Sequence, residues 1–394
     1  MTVATGATPQ ALNAEGVRAL STGDLARAAD CFARAAALDP QAVALWLNLA
    51  NAHRQLGDDN AERAALDAAL AIDAIHFMGL LRRAQLHERT GARAKAARDW
   101  TGALAMAPEQ LPPEIAAALA QGEEFVAAHT QAFAAAVDVP LAAVRAGLGD
   151  TELRRVDAAI DLSLGRRRVY FNECAGMHVP FLPADEFFPR RHFPWMPDIE
   201  AATPTIRAEL ESLLRDGDEG FAPYVSMKPG EPPNKWSPLD KSMAWNAYYL
   251  WKDGAPVERA LARCPATAAA MAALPRADIP GRCPTVFFSI LQPGAHIPPH
   301  TGVTNSRAIV HLPLIVPDSC GFRVGGETRE WKVGEAFAFD DTIEHEAWNG
   351  SSELRAVLIF DVWNPHLTEA EQTMLRAFYA AADASGHYRE PGET

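Results

Sequence analysis

Cysteine is scarce in this chain. Five occur in 394 residues (Cys31, Cys174, Cys264, Cys283 and Cys320), and no two form a Cys-x-x-Cys pair. That excludes a disulfide framework and reads as reduced thiols. Positive charge is also in deficit. Lys and Arg number 36 against 50 Asp and Glu, a net charge of −14, which argues against non-specific nucleic-acid binding or adhesion to an anionic membrane. The opening residues, MTVATGATPQALNAEG, have neither a basic start nor an apolar run, so no signal peptide is expected. No run of about 18 apolar residues stands out as a bilayer span. These absences together predict a cytoplasmic protein without membrane insertion. At 48% hydrophobic and 22% charged, the chain is long enough for two or three domains with ample core.

What is present first is a repeat. Gly23, Gly57 and Gly91 are 34 residues apart, and Phe32, Leu66 and Trp100 keep the same phase. Pro108 falls where Pro40 does, and the residues between are helix formers with apolar positions at helical spacing. A 34-residue helix-turn-helix period resembles the tetratricopeptide repeat. Each glycine belongs in the turn between paired helices, and the proline stops the second helix. About three units fit, predicting a tetratricopeptide-like solenoid over residues 8–109 with a concave face. That face is either a stabilising appendage or a groove for a protein partner. Residues 110–168 keep a helical pattern and read as an extension or bridge.

From residue 169 the character changes. Prolines, aromatics and short β-like runs dominate, with loops at 187–195, 216–220 and 229–233 and a helix expected over 201–214. From 285 onward the pattern is all-β. Runs at 285–292, 307–316, 321–324, 329–333, 336–339 and 354–363 are separated by turn residues, with Gly325-Gly326 as a two-residue hairpin turn. The expected fold class is therefore multidomain α plus β: a helical solenoid, then a double-stranded β-helix (jelly roll) over 169–394.

The chemistry concentrates in that β region. His300-Thr301-Gly302 is followed by Glu344-His345-Glu346 and by Arg355. Two imidazoles suit Fe(II) with open coordination positions, and a guanidinium suits the far carboxylate of a dicarboxylic keto acid. Side-chain alternation puts Ser289, Arg307, His311 and Arg355 on the cavity side of their strands, with His300 and His345 in loops at strand ends. His311 reads either as a buried hydrogen-bonded residue or as a keto-acid contact. His296 is not expected to bind metal: spacing of four serves a helix, which Pro298-Pro299 forbids. Asp340, Asp341, Glu344 and Glu346 read as loop-fixing groups rather than ligands. The carboxylate usual two residues after the first histidine is absent, because Gly302 stands there.

These residues resemble the aspartyl/asparaginyl β-hydroxylase family. The matching stretches are residues 291–296, Pro299-His300-Thr301-Gly302, Thr304-Asn305-Ser306-Arg307, His311-Leu312, Phe339-Asp340-Asp341, residues 344–348 and residues 360–363. The resemblance covers roughly 170–370. It implies a double-stranded β-helix that uses Fe(II), 2-oxoglutarate and O₂, and that also carries glycine in place of the third ligand. By position it implies His300 and His345 as metal ligands, Arg355 and Ser289 on the distal carboxylate of 2-oxoglutarate, and His311 near the proximal one. Arg307 is expected on a substrate or cosubstrate carboxylate. Ile309 departs from the pattern, since animal-type members carry arginine there. The expected activity is hydroxylation of an unactivated C–H, foremost the β-carbon of an Asp/Asn-type residue in a peptide or protein. The alternatives are a lipid A acyl-chain hydroxylase and a non-catalytic repeat scaffold.

Overall fold

A computed structural model describes residues 8–148 and 153–387; the first seven residues of the opening read above for a leader lie outside them. The chain divides into two compact units, Met1–Arg166 and Arg167–Thr394.

The first unit is helical. Six helices run as three pairs: α1 (Pro9–Ser21) with α2 (Leu25–Leu38), α3 (Val43–Leu56) with α4 (Asp59–Ile72), and α5 (Phe77–Arg89) with α6 (Arg93–Ala105). Gly23, Gly57 and Gly91 sit in the turns inside these pairs at φ of +80°, +74° and +76°, backbone that favours glycine. Side-chain caps from Asp24 and Asp58 start α2 and α4. Phe32, Leu66 and Trp100 are buried at the equivalent point of each pair, so the period seen in sequence is a period of packing.

Two further helices follow, α7 (Pro113–Leu148) and α8 (Arg154–Ser163). The start of α7 packs on α6 through Gly122, whose absent side chain would lie 2.4 Å from the Trp100 indole. Gly122→Ala forces the rigid ring to move and is expected to cost about 1–3 kcal/mol. A lower melting temperature for this unit, read by circular dichroism, is the check, and an unchanged melt would contradict this packing.

The second unit is built on two antiparallel sheets. Its strands are β1 (Phe187–Phe188), β2 (Ala222–Pro223), β3 (Trp245–Lys252), β4 (Ala255–Pro256), β5 (Val286–Leu291), β6 (His296–His300), β7 (Arg307–Ile315), β8 (Cys320–Val324), β9 (Glu327–Arg329), β10 (Phe337–Phe339), β11 (His345–Asn349) and β12 (Arg355–Trp363). The larger sheet runs β1-β10-β7-β12-β5-β3-β2, with β4 paired to β3; the smaller runs β6-β11-β8-β9. This arrangement is compatible with a double-stranded β-helix, and the fold class is the one expected. Gly325-Gly326 does make the β8–β9 hairpin, pairing Val324 with Glu327.

Alternation along the large sheet separates two cores. Ala308, Val310, Leu312 and Leu314 of β7, with Leu358 and Phe360 of β12, pack under Ile206, Leu210 and Leu213 of the helix Thr203–Asp216. The odd-numbered residues face the other sheet, where Leu291, Val357 and Phe339 meet Ile297, Phe322 and Ile343. The cavity-side assignment made from sequence thus describes the inter-sheet face.

Three placements differ from expectation. Phe187–Phe188, expected in a loop, is strand β1 and pairs with β10. Residues 331–333 are not a strand; β9 is Glu327–Arg329. His300 and His345 lie in strands rather than loops, at the end of β6 and the start of β11, directly opposite each other in register. Pro298-Pro299 concealed β6 in the sequence. Proline is tolerated there because β6 is the edge of the smaller sheet.

Candidate metal centre

The β6–β11 register puts the His300 and His345 ring centres 4.0 Å apart. Each imidazole is fixed by a backbone carbonyl two residues earlier: His300 Nδ1 to Pro298 O at 2.8 Å, and His345 Nδ1 to Ile343 O at 3.0 Å. A carbonyl only accepts, so Nδ1 carries the hydrogen and the neutral ring keeps its Nε2 lone pair. Burial holds both rings neutral, lowering His300 to about 4 and His345 well below its ordinary value. Two neutral imidazoles with oriented Nε2 atoms are what a divalent iron needs from histidine. Among the described residues no group of three or more His, Cys, Asp or Glu side chains converges as a metal cage.

Gly302 explains part of that. A Cβ there would lie 2.0 Å from Asp341 Oδ2, so the Asp341 carboxylate fills the space of the missing side chain. Burial raises Asp341 to about 7, with Arg307 opposing. Restoring a carboxylate by Gly302→Asp therefore collides with Asp341 instead of adding a ligand. We expect the single variant to bind Fe(II) about 10–100-fold more weakly, the range for a disturbed ligand environment. Pairing it with Asp341→Gly should recover binding. Anaerobic metal titration is the measurement, and an unaffected single variant would refute the collision.

The other acidic neighbours are accounted for. Asp340 is buried and accepts from the Thr342 backbone and hydroxyl and from Asn172, fixing the turn before His345. Glu344 and Glu346 pair with Arg323, and half-exposed His296 pairs with Glu346. The segment 172–176 pins the loops that adjoin both histidines: Glu173 N–H donates to Thr342 O, Ala175 N–H to Gly302 O, and Gly176 N–H to Val303 O.

A cavity of about 420 Å³ opens from the histidines. Ser289, His311, Arg355 and Arg307 all line it, as do Ile309 and Asp341. Arg355 is 1% exposed. Its Nη1 reaches Ser289 Oγ at 3.3 Å and Ser289 O at 3.4 Å, while its Nε has no partner. The Trp331 ring centre lies 4.6 Å from the guanidinium carbon. Burial pulls Arg355 down to about 10, and no carboxylate offsets it. Beside it, His311 is buried among Phe322, Phe337 and Phe339, and its Nδ1 also lacks a partner. Burial first, then Arg355, lowers its pKa. A buried guanidinium without a counter-charge, next to an orphaned imidazole nitrogen, leaves charge and hydrogen-bonding capacity that an anion could meet.

Arg307 differs in this respect. It forms a close ion pair with buried Asp361, so its charge is already met. Sequence reasoning missed the aromatic wall. Trp245 stacks on Tyr224 at 3.8 Å and donates to Ser289 Oγ at 3.1 Å, and Trp236 lies 5.0 Å from His300. The only available signal was the alternation Trp245, Ala247, Tyr249 on one face of β3.

Fold and site define a class: a two-sheet β protein with a histidine pair and a buried, uncompensated arginine in one inter-sheet cavity. Residues 200–365, within the C-terminal unit, match the family model described as Aspartyl/Asparaginyl beta-hydroxylase. Among relatives, the human aspartyl/asparaginyl beta-hydroxylase is 34% identical over 193 residues, 47% of this chain and 24% of that protein. The ornithine lipid ester-linked acyl 2-hydroxylase of Rhizobium tropici is 37% identical over 177 residues, 44% of this chain and 58% of that protein. The chain thus spans about a quarter of the first relative and less than two thirds of the second. Solved structures similar to it include the first TPR of Spaghetti (19% identity, TM-score 0.27, 32% of this chain, 93% of that one) and the Arabidopsis OM64 TPR domain (20%, 0.28, 31% and 95%).

The cytoplasmic assignment does not stand. Helix α7 is long and apolar enough to cross a membrane, with only 6% of its most apolar window buried, and one relative is named for a lipid substrate. Its alanine-rich sequence, interrupted by glutamate and glutamine, concealed that length of apolar helix.

Proposed function

We propose that the C-terminal unit is an Fe(II)- and 2-oxoglutarate-dependent dioxygenase that hydroxylates an unactivated C–H. The observation that carries this reading is Arg355, buried and without a counter-charge in the same cavity as two pre-oriented imidazoles. His300 and His345 hold the metal through Nε2. Arg355 and Ser289 take the distal carboxylate of the keto acid, and His311 contacts its other end. The aromatic wall excludes water from the reacting centre. Iron and the keto acid, when bound, supply the oxidation: one atom of O₂ enters the substrate as hydroxyl, and the other enters succinate as CO₂ leaves.

The expected acceptor is an Asp/Asn-type residue of a peptide or protein, with the repeats as a surface for a protein partner. A second reading is an acyl chain, favoured by the apolar helix α7 and by the rhizobial relative's named activity. Mass spectrometry of cell extracts treated with the purified protein separates them, through one added oxygen on peptide or on lipid.

The cosubstrate is tested without turnover. Anaerobic calorimetry should show 2-oxoglutarate binding roughly 30-fold or more tighter than 2-oxopentanoate, which lacks the distal carboxylate; a charge-assisted contact in a buried site is worth about 2 kcal/mol or more. Equal affinities would exclude the role given to Arg355.

A further inference from the structure

The substrate end of the cavity has its own charge balance. Four cationic side chains line the cavity: Lys252, Arg282, Arg307 and Arg355. Arg307 is paired with Asp361, which also accepts from the Thr285 backbone N–H. Arg282 is paired with Asp383 and lies over Tyr379. Lys252 stands exposed at the rim over Tyr249. Arg355 is the anion site of the proposed cosubstrate. Opposite Asp361 in the strand register sits Ile309, an apolar side chain at the cavity wall. The remaining wall is aromatic: Tyr224, Trp236, Trp245, Tyr249 and Phe287.

With the keto acid in place, no buried cation at this end lacks its own carboxylate. An incoming carboxylate would lose water, meet apolar and aromatic surface, and face Asp361 and Asp341 with no further buried counter-charge, Lys252 being exposed to solvent at the rim. Desolvation of that kind is uncompensated. A neutral group of the same shape carries no such penalty.

We infer that Asp361 and Ile309 act as specificity determinants, so that the segment of substrate presented to the metal is uncharged and an acidic side chain is rejected. The inference rests on the oxygenase reading and narrows it. Of the two acceptor side chains expected, it selects the amide over the acid.

Two isosteric probes test it, N-acetyl-asparagine amide and N-acetyl-aspartate amide. The full-length protein is loaded with Fe(II) under argon and titrated first with 2-oxoglutarate, then with each probe, with binding read by saturation-transfer NMR. The neutral probe should bind about tenfold or more tighter than the acidic one. Ile309→Arg adds a cation, and Asp361→Asn releases Arg307; each should narrow that ratio by about tenfold or invert it. Ile309→Arg remains informative if Asp361→Asn does not fold. An acidic probe that matches the neutral one on wild-type protein, including an absence of binding by both, overturns the charge rule. So does a ratio that neither variant moves. Absence of 2-oxoglutarate binding in the first titration instead defeats the oxygenase reading.

Discussion

Arg355→Met is expected to make the metal-free protein more stable and nearly unable to use 2-oxoglutarate. The two effects have one cause. Arg355 is fully buried with no carboxylate opposite it, and burial already depresses its pKa to about 10. An isolated buried charge is a stability cost that an apolar side chain of similar length removes, on the order of 1–3 kcal/mol. In a domain of this size each kcal/mol moves the melting temperature by roughly 2–4 °C. In the proposed site the same charge would be the counter-ion for the cosubstrate's distal carboxylate. Losing a buried charge partner costs about 2–5 kcal/mol in binding, or roughly 30- to 5,000-fold in affinity. Differential scanning calorimetry without ligand and keto-acid titration of the same sample read both signs. A structural arginine would show the reverse pattern, a lower melting temperature with little change in affinity.

His345→Ala is expected to have the largest effect on metal binding. Only two protein side chains are proposed as ligands, and His345 is held at Nδ1 by the Ile343 carbonyl with its ring centre 4.0 Å from that of His300. Loss of an outer-shell partner alone typically lowers metal affinity about 10–100-fold; removing one of two ligands should exceed that. Folding is expected to survive, because β11 is held mainly by backbone pairing to β8 and β6. Anaerobic Fe(II) titration with a circular dichroism control is the measurement. Affinity within tenfold of wild type would remove His345 from the metal.

Most of this site was legible in the sequence, for identifiable reasons. Repeats declare themselves because each unit solves the same packing problem. Phe32, Leu66 and Trp100 had to recur, and so did the glycines at positive φ. The period of two in β5, β7 and β12 sorted Ser289, His311 and Arg355 onto the inter-sheet face because one-residue slips exchange the faces of a strand. Other features were hidden. Pro298-Pro299 disguised β6, since proline opposes a strand unless that strand is an edge. The pairing of Arg307 with Asp361 depends on register between strands 54 residues apart in sequence, and alternation within one strand cannot supply register. The position of Asp341 in the space left by Gly302 follows from a close approach of two loops. Helix α7 passed as an ordinary alanine-rich segment because no single uninterrupted apolar run marks it.

The proposed oxygenase depends on a single cavity in which paired imidazoles would hold the metal and a lone guanidinium would hold the keto acid. Succinate release by the purified full-length protein, supplied with Fe(II), 2-oxoglutarate and O₂, tests it most directly. Wild type should form succinate in a metal-dependent way, and His345→Ala should form none above background. Equal succinate formation by the two proteins, or none by iron-loaded wild type with extract as a source of substrate, would contradict it.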